Sequence, residues 1–558
     1  MLLTSLAEMI SLGAVVPFLA VLAQPTVLWN AEPVQLIAPL LGWQRPADTI
    51  APICFAFAAS ALTAGAIRVL GLWANTRIAS AIGSDLSSEV YRRTLYQPYA
   101  THAARNSSEL ISTITNQVGA TVEVIYSLLQ LVTCSLVFVG LSMMLLFINA
   151  SVALLATTIF GLAYGLVIVT ARRRLRLNSM RIVTDQQSLL KVLQEGLGGI
   201  RDVLLSDSQP VYVNLYQLAD HRFRLARGSN SFLGAYPRYA LEALGMVIVS
   251  GIAWGTNSSG ASLMGFLPML GALALGAQRL LPTFQQIYGT WASVSGNQEA
   301  LRATLSYLRQ PISVAALAPV SEPLSFRQEL RFEKVSFAYC SDLPLVIEDL
   351  ELRIQPGERI GFVGATGSGK STCLDLLMGL LSPTKGRITV DGVELQGSAV
   401  RAWQRQIAHV PQSIYLADAS IAENIAFGVP IAEIDQGRVQ KAAQQAQIAD
   451  FIESKPAGYD SYVGERGVRL SGGQRQRIGI ARALYKQAQV MVFDEATSAL
   501  DNETESAVME TIERLDRKLT ILMIAHRLST VAHCDRVIEL SLGKVLREGS
   551  PLVLNLHS

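Results

Sequence analysis

Arg359-Ile360-Gly361-Phe362-Val363-Gly364-Ala365-Thr366-Gly367-Ser368-Gly369-Lys370-Ser371-Thr372 decides how this 558-residue chain folds. Its first five residues form an apolar run that reads as a buried strand. From Thr372 to Leu381 the apolar residues return at helical spacing. The loop between them fits GxxxxGK[ST]. Gly364, Gly367 and Gly369 let the backbone turn so that several N–H groups point inward at phosphate oxygens, with Thr366 and Ser368 between them. Lys370 then reaches the β- and γ-phosphates, Ser371 binds Mg²⁺, and the helix that starts here points its positive end at the anion. A glycine-rich loop with no ligand is the alternative, and the Lys-Ser-Thr that follows argues against it. The expectation is an α/β P-loop nucleotide-binding domain that takes ATP.

Composition calls for a second kind of domain. Half the residues are hydrophobic, only 16% are charged, and the mean hydropathy is +0.33, which suits a membrane domain joined to a soluble one. A net charge of +2 provides no basic field for nucleic acid. Cys54, Cys134, Cys340, Cys373 and Cys534 show no CxxC spacing, so neither a metal site nor a disulfide framework is expected. Residues 9–31 carry no charge, but a basic leader is missing, Glu8 sits early and further apolar runs follow. The segment reads as a retained membrane helix.

Uncharged stretches come in multiples of the roughly 20 residues that span a bilayer. Val124 to Ala171 holds two spans around Asn149-Ala150-Ser151, and Ala243 to Gln278 repeats the pattern around residues 255–260. The expected membrane domain, residues 1–308, is all-α with six helices at about 3–24, 49–74, 120–147, 150–171, 238–256 and 262–290. Two long, polar and helix-forming connections, from Arg77 to about Val118 and from Arg172 to about Pro237, carry the positive charge and are read as cytoplasmic, with both termini. Residues 29–43, flanked by Trp29 and Trp43, read as an interfacial helix or an apolar loop packed on its neighbours. Arg68, Arg238 with Glu242, and Arg279 stand at or within apolar runs. Each can snorkel or pair with a carboxylate, and together they would suit an inner cavity for an anionic substrate.

A proline-bearing linker at 309–325 precedes the soluble domain, 326–558. Leu330 to Phe337 alternates like a strand and leads to Tyr339, a base-stacking candidate with core packing as the alternative. Val490 to Phe493 reads as a buried parallel strand that delivers Asp494 and Glu495 to its C-terminal edge. There Asp494 would hold Mg²⁺ through water and Glu495 would polarise the attacking water.

Leu470-Ser471-Gly472-Gly473-Gln474 resembles the signature of ATP-binding-cassette ATPases, and the remaining motifs follow in order: Gln412 in His409-Val410-Pro411-Gln412, Gly464-Glu465-Arg466-Gly467, Asp494-Glu495, Ser498-Ala499-Leu500-Asp501, and His526 in Ala525-His526-Arg527. The resemblance implies that two cassettes pair head to tail. Ser471, Gly472, Gly473 and Gln474 would then cap ATP held on the partner's loop, and Asp501 would belong to the loop after the acidic pair. Glu495 would be the general base, His526 the γ-phosphate switch, and Gln412 would join Ser371 and Asp494 around Mg²⁺. With one cassette and six spans, the chain would work as a homodimer.

Six spans ahead of one cassette resemble the exporter branch, a type I exporter fold in the inner membrane. Ser11 to Phe18, Pro237 to Glu242, Arg279 to Pro282 and the segment 29–43 are similar to bacterial lipid-linked oligosaccharide flippases, in which cavity arginines face the carrier's pyrophosphate. That resemblance implies an anionic lipid-linked glycan as cargo and makes Arg68, Arg238 and Arg279 candidates to face it. A multidrug or peptide exporter, or an ATP-gated channel or receptor, are the alternatives. The family usually has an elbow helix before the equivalent of Leu2, so either the natural N terminus is longer or the first helix is short.

Overall fold

A computed structural model describes residues 45–258 apart from Asn149, 281–319, 322–340, 342–494, 502–525 and 531–551, with Ala7 and Trp29 besides. But for Ala7 and Trp29, the first span at 3–24 and the interfacial segment at 29–43 lie outside the described residues, as do Arg279, Glu495, Asp501 and His526. Two compact units emerge: residues 1–95 with 105–311, and residues 96–104 with 312–558.

The first unit is helical. Helix α1 runs Ile50–Leu95. After α2, Tyr99–Ala104, which groups with the second unit, helix α3, Ser107–Ser112, passes through a π-turn at Thr113–Gln117 into α4, Val118–Ile148. Helices α5, Ala150–Gly198, α6, Ile200–Leu205, and α7, Gln209–Ser258, follow. Residues 281–296 are helical and lead to α8, Gln298–Leu308. At 46 residues α1 is about 70 Å long, far more than the ~30 Å of a bilayer core. The helix that begins in an apolar run therefore continues into its polar arm, through Arg77, Arg92 and Arg93. Phe55, Leu62, Leu162, Leu166 and Val169 point outward, as lipid-facing side chains should. Among the described residues, Ile50–Leu95 and Ser107–Met143 are long and apolar enough to cross a membrane.

Proline offers no N–H to the carbonyl four residues back, which inside a helix leaves that carbonyl without its usual donor. Helix α7 nevertheless passes through Pro237. That carbonyl belongs to Leu233, and the Tyr288 hydroxyl donates to it at 2.7 Å in a buried setting. Around this bond Tyr164, Leu233, Leu241, Phe284, Tyr288 and Trp291 form the unit's main apolar cluster. Tyr288→Phe is expected to leave Leu233 O without its donor and to destabilise the unit by about 1–3 kcal/mol. Thermal unfolding of the solubilised chain measures this, and an unchanged melting temperature would mean that another donor serves the carbonyl.

The second unit carries two sheets. Strands β1, Leu330–Phe337, β2, Ile347–Ile354, β4, Lys385–Val390, and β5, Val393–Glu394, form an antiparallel sheet in the order β2-β1-β4-β5. The larger sheet runs β10-β9-β3-β8-β7-β6, with β3 at Arg359–Val363, β6 at Ile407–Val410, β7 at Val490–Asp494, β8 at Thr520–Ile524, β9 at Arg536–Ser541 and β10 at Lys544–Gly549. Its strands pair in parallel except for the β9–β10 hairpin. Each residue of β3 is buried, as a central strand covered on both faces must be. Helices α9, Lys370–Leu377, and α10, Ser398–Gln404, belong with this core. The indole N–H of fully buried Trp403 on α10 donates to Leu377 O at 2.8 Å.

Candidate nucleotide site

Parallel pairing brings the C-terminal ends of β3, β8, β7 and β6 to one edge. Phe362 and Asp494 are both paired with Ile524 of β8, so the end of β3 and the acid of β7 sit at one level. The phosphate loop leaves β3 at this edge, Gln412 follows β6 in an exposed position, and Asp494 ends β7 half-buried. The opening that binds ligands in parallel α/β sheets lies at such an edge.

Within the loop, Gly364, Gly367 and Gly369 take φ of +143°, +82° and +100°, values that side-chain-bearing residues rarely adopt. A Cβ at Gly364 would collide with Leu540 O, and one at Gly369 would come within 2.8 Å of Ile347. Both glycines let the loop lie flat against its neighbours. Gly543 N of the β9–β10 turn also ties it down, donating to Ser368 O at 3.1 Å. Lys370 is buried, and its Nζ donates to Gly364 O and Ala365 O at 2.8 and 3.0 Å. The ammonium is thus held under the loop. Ser368 Oγ is buried without a hydrogen-bond partner among the described residues, and a phosphate oxygen would supply one.

Tyr339 stands just beyond β1, half-exposed, its ring edge-on to Phe337 with centroids 5.0 Å apart. Its hydroxyl lies 3.1 Å from Thr372 Oγ1 on the first turn of α9. The ring therefore flanks the loop and is half-exposed rather than packed in the core.

Two neighbours escaped the sequence reading. Asp375 is four residues after Ser371 on α9, so the two share a helix face. Burial, then the nearby Asp494 carboxylate, pushes its carboxyl up to about 6. Tyr99, from the short helix α2 that groups with this unit, has its hydroxyl pushed above the usual value by burial and then by Asp375, Tyr339 and Asp494. The spacing from Ser371 could have flagged Asp375. No local signal marks Tyr99, which tertiary structure alone brings here.

The signature motif is a helix start. Ser471 caps α13, Gly472–Tyr485, counting α11, Ile421–Ile425, and α12, Gln436–Gln445, before it. Ser471 Oγ accepts from Gln474 N at 3.2 Å, while Gln474 Oε1 accepts from Ser471 N at 2.9 Å. This capping box occupies the Gln474 side chain locally. Ser471 and Gly472 remain exposed and Gly473 is buried. The 14-residue helix has no acid in its first turn, so its positive end faces outward, available to an anion.

In the membrane unit, Arg238 pairs with Glu242 one turn on at 3.2 Å, both side chains well exposed. Gln285 Nε2 approaches the same Glu242 oxygen at 3.5 Å. Arg68 is exposed and its Nε hydrogen-bonds Ala64 O of its own helix at 3.4 Å.

Helical membrane unit, parallel-sheet ATPase unit and glycine phosphate loop together define a membrane-bound P-loop ATPase. Residues 347–498 match the family model described as ABC transporter, and residues 3–227 the ABC transporter transmembrane region. The chain is 32% identical to an ATP-dependent lipid A-core flippase of Chromohalobacter salexigens, over 86% of this chain and 82% of that one. It is also 32% identical to the heterocyst differentiation ATP-binding protein HepA of Nostoc sp., over 80% and 73%. A bacterial Atm1-family ABC exporter with ATP bound superposes with a TM-score of 0.76 at 25% identity, covering 97% of this chain and 95% of that one. The chain belongs to the ABC transporter family. It is an exporter half-transporter with the type I membrane fold, and its cassette couples ATP hydrolysis to translocation across a membrane.

Proposed function

We propose that two copies of this chain form a homodimer in the bacterial inner membrane and move an anionic, lipid-linked glycan outward. The observation that carries this reading is the likeness, across more than four-fifths of both chains, to a protein named as an ATP-dependent lipid A-core flippase. Residues 1–308 would form the membrane domain and 326–558 the cassette, joined by the linker at 309–325. In the cassette, Tyr339 stacks on the base, and the backbone of residues 364–372 with Lys370 holds the phosphates. Glu495 acts as general base and His526 contacts the γ-phosphate. Ser471, Gly472 and Gly473 of the partner subunit close the site, with their helix end facing the phosphates, and Asp501 lies at that junction. Ser371, Gln412 and Asp494 offer the hard oxygen donors that Mg²⁺ prefers and are the residues that would hold it. Bound there, Mg²⁺ would neutralise phosphate charge.

Arg68, Arg238 and Arg279 would face the cargo's phosphate. Arg279→Ala is expected to cut translocation of a polyprenyl-pyrophosphate glycan about tenfold, with basal ATPase activity within twofold of wild type. Proteoliposomes loaded separately with that glycan, a phospholipid and a peptide test the reading. ATP-dependent movement of the peptide alone would replace it with a peptide exporter, and unimpaired glycan transport by Arg279→Ala would remove the arginine's role.

A further inference from the structure

Within the membrane unit, a cavity of about 500 Å³ opens between α4, α5, α7 and the helix at residues 281–296. Three features set it apart from the packed contacts around it. Its wall includes Thr115 and Asn116 of the π-turn, a distortion of the α-helix that recurs at functional sites. Its floor includes Gly119, Gly234 and Gly289, where an added Cβ would meet nothing within 4 Å. The rest of the lining mixes apolar residues such as Ile182 and Phe223 with the polar Asn116, Gln186, Ser231 and Ser293 and two charges, Glu123 from α4 and Arg227 from α7.

Neither Glu123 nor Arg227 has an ion-pair or hydrogen-bond partner among the described residues, and both are exposed. They face one space without neutralising each other. A purely anionic ligand would satisfy Arg227 and be repelled by Glu123, and a cation would do the reverse. A ligand bearing both charges satisfies both. Its phosphate would take the guanidinium, which binds phosphate in fork geometry, and its ammonium would take the carboxylate. The amides and hydroxyls of Asn116, Gln186, Ser231 and Ser293 suit the ester and hydroxyl oxygens between them.

We propose that this cavity is a polar-head subsite for a zwitterionic phosphate ester of the phosphoethanolamine class. The inference deepens the lipid-translocation reading and rests on it for the ligand's origin, which is either an amine-bearing cargo or an ordinary phospholipid of the surrounding leaflet.

Binding to the solubilised full-length chain tests it with soluble head groups. Glycerophosphoethanolamine is expected to bind and raise the melting temperature, and glycerophosphoglycerol, which lacks the amine, to bind roughly tenfold more weakly. Glu123→Gln and Arg227→Gln should each weaken glycerophosphoethanolamine binding about tenfold. Glu123→Gln should also erase the preference over glycerophosphoglycerol. Gly289→Leu fills the cavity from its open floor and should abolish binding while the ligand-free melting temperature stays that of wild type. No binding by wild type, or equal binding by all three variants, overturns the proposal. Liposomes then separate the sources. Movement of fluorescent phosphatidylethanolamine assigns the subsite to phospholipid, and movement of an amine-bearing lipid-linked glycan alone assigns it to cargo. Head-group binding with no lipid moved would leave the subsite standing and refute the flippase reading.

Discussion

Glu495→Gln is expected to bind ATP as tightly as wild type, to lose hydrolysis by about a thousandfold, and to accumulate as a closed pair of cassettes. General-base catalysis contributes on the order of 10²–10⁴ in rate, and amide nitrogen cannot take a proton from water. Asp494, the last residue of β7, reaches the ligand-binding edge at the level where β3 ends. Glu495 is the next residue in the sequence and is the proposed base. The substitution leaves Lys370, Ser368 and the loop glycines untouched, so the phosphate cradle persists. In the proposed homodimer, ATP left unspent would keep the partner's α13 on the γ-phosphate, and the pair would not reopen. Single-turnover hydrolysis with a radiolabelled nucleotide measures the first effect, and crosslinking between Lys370-side and Ser471-side cysteines measures the second. Near-normal turnover would remove Glu495 from the catalytic role and require another base.

Legibility of the chain followed the range of the interactions involved. The strand and loop at 359–372 could be read because the chemistry is local: apolar residues for a buried strand, glycines where φ is positive, and a helix start at Lys370. Asp494 could be read for the same reason, as an acid closing an apolar run. The arms read as helix-forming, but their unbroken joining to the apolar spans in single helices could not be read. Charge marks where a helix leaves lipid but does not end it, so α1, α5 and α7 run for 46, 49 and 50 residues. The way the chain accommodates Pro237, with the Tyr288 hydroxyl on Leu233 O, could not be read either, because the donor comes from a residue far along the chain. Tyr99 was hidden beside the phosphate loop for a related reason: its place depends on which elements become neighbours, and no spacing in its segment records that, whereas the four-residue step from Ser371 does mark Asp375.

Lys370→Ala is expected to weaken ATP binding about a hundredfold or more and to abolish transport. The lysine is 6% exposed, and its Nζ is held by Gly364 O and Ala365 O at 2.8 and 3.0 Å. Two roles follow from that geometry. The ammonium bridges the turn of the loop, and it places a full positive charge where the β- and γ-phosphates arrive. Truncating one partner of a desolvated charge pair costs about 2–5 kcal/mol, and 1.4 kcal/mol is about tenfold in affinity. The two roles separate by comparing substitutions. Lys370→Met keeps the stem and most of the packing but loses the charge, and should match Lys370→Ala in ATP affinity with a melting temperature nearer wild type. Lys370→Arg keeps the charge, yet the planar guanidinium is larger than the ammonium and must enter a space closed by two carbonyls and the loop glycines. It should bind ATP nearly as poorly as Lys370→Ala. Equilibrium binding of a fluorescent ATP analogue, with thermal unfolding in parallel, decides the matter. If Lys370→Arg bound ATP like wild type, charge alone would suffice and the close fit under the loop would have no part in recognising phosphate.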